Sequence, residues 1–96
     1  MKVDIKKSPN KSKRYVAIFY DDNGKKVKTT HFGSNSHSNF TIHNDEARKK
    51  RYLDRHRKRE NWNAPQTAGA LSRWILWNLK SFNASVKDYK KRFNLK

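Results

Sequence analysis

The sequence contains no cysteine, so disulfides and thiolate zinc sites are excluded and a reducing compartment is permitted. Acidic residues are scarce: eight Asp and Glu stand against 24 Lys and Arg, for a net charge of +16 in 96 residues. Apolar residues are scarce too, at 33%. A chain this short buries only a modest fraction of its surface, so it offers material for one small core. No apolar run approaches the roughly 18 residues of a membrane span. The N-terminal stretch MKVDIKKSPNKSKR has no apolar signal core. The triplets at Asn10, Asn39 and Asn83 that match glycosylation acceptors are therefore read as chance. No phosphate-binding glycine loop, dinucleotide fingerprint or nucleophile motif is present.

What is present is positive charge and aromatic rings. The charge is spread along the chain, at +6 in residues 1–33, +4 in 44–60 and +6 in 61–96. Self-repulsion on this scale opposes a compact monomer, and a polyanion or an acidic protein surface would relieve it. The plain alternative is a solvated basic surface. Aromatics make up 12% and supply large areas for burial.

The stretch DEARKKRYLDRHRKRE (45–60) organises the rest. Wound as a helix, it places Arg48, Arg51, Arg55 and Arg59 on one stripe. Its apolar content is Ala47, Tyr52 and Leu53, too little for a wide buried face. Asn44 suits the N-cap. Asp45→Lys49, Glu46→Lys50 and Asp54→Lys58 are candidate i,i+4 pairs that leave the stripe without acidic neighbours.

Upstream, residues 15–32 read as a β-hairpin. Tyr15–Tyr20 is β-branched and aromatic, and Asn23-Gly24 signals a type I′ turn. That turn sets Tyr20 opposite Val27, Ile18 opposite Thr29, Val16 opposite His31 and Tyr15 opposite Phe32. Residues 1–14 read as a basic arm, with Val3–Lys7 the only candidate for a third strand. Residues 33–44 form a polar loop. Downstream, residues 67–80 are apolar nearly all round and form a core helix, and residues 82–94 form an amphipathic helix. The expected architecture is α+β: a small antiparallel hairpin, with that third-strand candidate, packed with three helices in one domain.

The candidate site is an anion-binding one. It comprises the arginine stripe, the hairpin lysines Lys25, Lys26 and Lys28, and Lys11, Lys13 and Arg14 of the arm. Guanidinium forks bind phosphate bidentately, and such contacts position a protein without reading sequence. The histidines His31, His37 and His43 lack the close pairing of a zinc site, so no metal and no other cofactor is expected. His56 adds a further candidate cation on the basic helix. Trp74 and Trp77 read as core, and Trp62, in a polar breaker segment, as a plug under the loop.

HFG (31–33), TIHNDEARKKRYLDRHRKREN (41–61) and PQTAGALSRWILWN (65–78) resemble a family of small basic proteins encoded by large DNA viruses of algae and protists, with relatives in tailed phages. That resemblance implies a viral origin, with a place in the virion or in the host cytoplasm or nucleus during infection, and gives no catalytic residues to carry over. The expected function is non-enzymatic binding of polyanion, DNA backbone first. The alternative is a minor capsid or cement protein bridging acidic surfaces of capsid proteins. A small nucleic-acid enzyme is the third class. No small-molecule substrate is expected.

Overall fold

A computed structural model describes all 96 residues, Met1–Lys96. Three antiparallel strands, β1 (Lys2–Lys7), β2 (Lys13–Tyr20) and β3 (Lys26–Ser34), form a sheet in the order β1-β2-β3. Four helices follow: α1 (Phe40–His43), α2 (Glu46–His56), α3 (Ala68–Leu71) and α4 (Phe82–Arg92). A π-helical segment, Ser72–Leu76, continues directly from α3. The architecture is α+β.

The period of two along β2 decides which face is buried. Tyr15, Ala17 and Phe19 point to the helices. Val3 is paired with Phe19, Ile5 with Ala17 and Phe32 with Tyr15, so these join them on that face. Val3, Ala17, Phe19 and Phe32 pack with Leu71, Ile75, Leu76 and Tyr89 into one cluster. Tyr15 stacks on Phe82 of α4 at 4.5 Å. The Tyr89 hydroxyl, buried with its ring, donates to the Pro65 carbonyl at 2.5 Å.

The third-strand candidate Val3–Lys7 is a strand, β1, and it is held on both sides. Val3 is fully buried, and the C-terminus closes the outer edge of β1: Val3 N–H donates to the Lys96 carbonyl and Lys96 N–H to that of Met1. Pairing along that edge satisfies backbone groups that would otherwise need water.

The hairpin register follows expectation from Tyr15↔Phe32 through Phe19↔Lys28 and then shifts: Tyr20 pairs with Lys26, and Val27 is extruded to 49% exposure. The turn differs as well. Gly24 has φ +80° while Asn23 keeps a negative φ, and Asp21 N–H bonds the Lys25 carbonyl. This is a type I turn closed by a glycine bulge, not type I′. The Asp21 carboxylate accepts both Asn23 N–H and Lys25 N–H at 2.9 Å, which holds the longer loop.

The helices stop short of their expected ends. The expected core helix over 67–80 is α-helical only to Leu71 and π-helical to Leu76. Beyond that, the Arg73 guanidinium takes the Trp77 carbonyl and the Asn78 amide takes that of Trp74. Helix α4 ends at Arg92 because Asn94, at φ +54°, turns the chain and lets Leu95 N–H reach back to the Lys90 carbonyl. Gly33 also has positive φ, +79°, and a Cβ there would meet Leu76 Cδ1 at 2.9 Å. Only glycine lets the end of β3 lie this close to the π-helical segment.

Candidate nucleic-acid interface

Asp45, not Asn44, caps α2: its carboxylate accepts Ala47 N–H at 3.0 Å and Arg48 N–H at 3.2 Å. These bonds, Arg48's first, hold the Asp45 carboxyl below the usual carboxylate range. Asn44 instead ends α1 in the left-handed conformation, and its side chain donates to the Phe40 carbonyl at 2.7 Å.

One aromatic anchors α2. Tyr52 is buried and lies flat on Trp77, with ring centres 4.3 Å apart and planes within 4°. His56 covers its other face at 4.3 Å. Burial pushes the Tyr52 phenol far above its ordinary pKa, so it stays neutral. Lys49 donates to the Asn78 carbonyl at 2.6 Å and tethers the first turns. None of the three i,i+4 pairs expected for α2 forms. Lys50 pairs with Asp54 at 3.0 Å instead, and His56 with Glu60 at 3.2 Å.

With Tyr52 at the base, Arg48, Arg51 and Arg55 line one side of a cleft of about 640 Å³. The facing wall is Lys13, Ser34, His37 and Ser38, and the floor includes Gly69, Ser72 and Trp77. Arg14 holds this wall in place by donating to the His37 carbonyl at 2.9 Å. Asn35 braces it by donating to the carbonyls of Lys11 and Lys13. All three cleft arginines are exposed, and none makes an ion pair: the four pairs in the molecule are Met1–Asp22, Lys50–Asp54, His56–Glu60 and Arg92–Asp88.

The remaining candidate residues are dispersed. Arg59 falls in the turn after α2, which ends at His56, and does not line the cleft. Glu60 folds back instead, accepting from Trp62 Nε1 at 3.0 Å while pairing with His56. Lys25, Lys26 and Lys28 sit exposed at the hairpin tip, a strand length of roughly 25 Å from the cleft end of β3. Lys13 reaches the cleft, and Arg14 is a brace for its wall.

His56, a candidate cation from sequence, lines the cleft, as do Glu60, His37 and His43, which the sequence pattern does not assign to the anion site. The signal for Glu60 was present as the His56/Glu60 spacing of four, followed by Gly69. A Cβ at Gly69 would meet Glu60 Cδ at 3.0 Å, so glycine admits the carboxylate. His43 accepts Asp45 N–H through Nδ1 at 2.9 Å, which puts the proton of its neutral ring on Nε2. Burial and then the nearby Arg48 charge hold its pKa below the ordinary value. No group of three or more His, Asp or Glu side chains stands close enough to hold a metal ion, and no helix is long and apolar enough to cross a membrane.

Residues 3–56 match the model of a family described as a family of unknown function, DUF5754. The chain belongs to this family. The match runs from β1 to the last residue of α2, so it takes in Lys13, Arg48, Arg51 and Arg55 but stops before Glu60 and the core helices. No curated protein and no solved structure matches the chain.

Proposed function

We propose that this protein is a non-enzymatic basic protein that binds polyanion, nucleic-acid backbone foremost, through Arg48, Arg51, Arg55 and Lys13. The observation that carries the reading is the convergence of four cations on one cleft whose three arginines form no ion pair within the chain, the one cleft carboxylate, Glu60, being paired with His56. Phosphate supplies the missing anion, and planar guanidinium forks suit its geometry. The likeness of its basic helix and TAGALSRWILWN segment to small proteins of large DNA viruses fits a genome-associated role in the virion.

Lys25, Lys26 and Lys28, held apart from the cleft at the hairpin tip, favour a second reading. Two separated basic patches suit a minor capsid or cement protein that bridges acidic surfaces of neighbouring capsid subunits. The experiment that separates the two is binding of purified protein to a DNA oligonucleotide across a salt series. Backbone binding requires log K to fall with log salt by about 0.9 per duplex phosphate contacted. Absence of DNA binding, with co-sedimentation on shell fragments stripped of DNA, selects the capsid reading.

A further inference from the structure

We infer that the cleft between α2 and the 33–39 loop seats a single strand of nucleic acid with unpaired bases and does not seat a duplex. The inference rests on the polyanion reading above and narrows it.

The first ground is shape. A helix that reads duplex DNA lays a free face into a major groove about 12 Å wide. The guanidinium face of α2 is not free in that sense. It looks across the cleft at Lys13, Ser34, His37 and Ser38, which stand where the far edge of a groove would have to pass. The cleft is half open, and its volume of about 640 Å³ lies in the range of roughly 300–1,000 Å³ typical of sites for small molecules. A nucleotide unit enters such a notch; a rod with its phosphates on the outside touches only the rim.

The second ground is chemistry. A site for phosphate alone needs only donors and positive charge. This cleft also holds the hydroxyls of Ser34, Ser38 and Ser72, the imidazoles of His37 and His56, and the Glu60 carboxylate. A carboxylate repels phosphate, but it accepts hydrogen bonds from the exocyclic amines of bases. Glu60 is fixed in place by His56 and Trp62 rather than drawn to an arginine. The lining thus fits a ligand with an anionic side and a side rich in donors and acceptors. A nucleotide whose base edge is unpaired has both. The base is held by its edge and not by stacking on the floor, because Tyr52 is already covered by Trp77 on one face and His56 on the other. This differs from binders that offer open aromatic platforms.

The test compares a 12-nucleotide single strand of mixed sequence with the same strand in duplex, by fluorescence anisotropy at one salt concentration. The single strand is expected to bind about tenfold more tightly, equivalent to about 1.4 kcal/mol. Ser38 is exposed on the loop wall, so Ser38→Leu narrows the cleft without altering charge or core. It is expected to weaken single-strand binding about fivefold and leave rim binding of duplex unchanged. Equal or tighter binding of duplex overturns the inference and leaves the polyanion reading standing; so does a Ser38→Leu protein that binds the single strand as wild type does. Failure of both oligonucleotides to bind removes the inference and the polyanion reading together.

Discussion

The sheet and helix α2 are held in very different ways. Beneath the sheet, Val3, Ala17, Phe19 and Phe32 interlock with Leu71, Ile75, Leu76 and Tyr89, and every one of these eight is buried. Helix α2 contributes a single buried residue, Tyr52, stacked on Trp77. The first region spends its apolar residues on cohesion. The second is pinned at one ring, and that leaves its other faces free to display unpaired cations. Stability resides mainly beneath the sheet, and the proposed polyanion binding falls chiefly to the helix pinned at one ring.

The comparison can be broken or sharpened by substitution. Phe19→Ala, at the centre of β2, is expected to cost about 3–5 kcal/mol, measured by chemical denaturation. For a small domain this is a large share of the whole. A loss below about 1 kcal/mol would mean the sheet is not the cohesive region. Tyr52→Ala is expected to cost about 3 kcal/mol, and the loss should be local. Hydrogen exchange should show α2 amides losing protection while those of β2 keep theirs. Equal loss in both would erase the distinction. Asp45→Ala removes the cap of α2 and should cost about 1 kcal/mol, again concentrated in that helix.

The smallest effect is one of pH. His43 must be neutral for Nδ1 to accept Asp45 N–H, and its folded pKa lies below the ordinary 6.5. The unfolded chain therefore takes up this proton more readily than the folded one. The stability contributed by neutral His43 is complete above the unfolded value and is lost as pH falls through it toward the depressed folded value. The melting temperature should decline over that acid window. His43→Gln, whose amide oxygen can accept the same bond, should flatten the decline. A profile identical to wild type would show that this histidine does not couple to folding.

Much of the fold is legible in local pattern. The alternation in β2 and the Asn-Gly signal set the hairpin register as far as Phe19. They miss the turn type because Asp21, a residue outside the presumed loop, captures two backbone N–H groups. The basic stripe is legible as far as Arg55, but not the end of α2, where Glu60 turns back to His56 and Trp62. The cleft itself is not legible. Its second wall comes from Lys13 and the 34–38 segment, brought opposite α2 by the sheet, by Gly33 against Leu76 and by Arg14 on His37. No short-range spacing encodes that placement.

The central claim is that the arginines facing the cleft are there for an anion and not for the fold. It is tested most directly by Arg51→Glu plus Arg55→Glu, measured beside wild type for both unfolding free energy and nucleic-acid affinity across a salt series. The account predicts stability within about 0.5 kcal/mol of wild type, as for exposed positions, with weaker binding and a salt slope shallower by about two. An unfolded double variant, or one that binds with the wild-type slope, would contradict it.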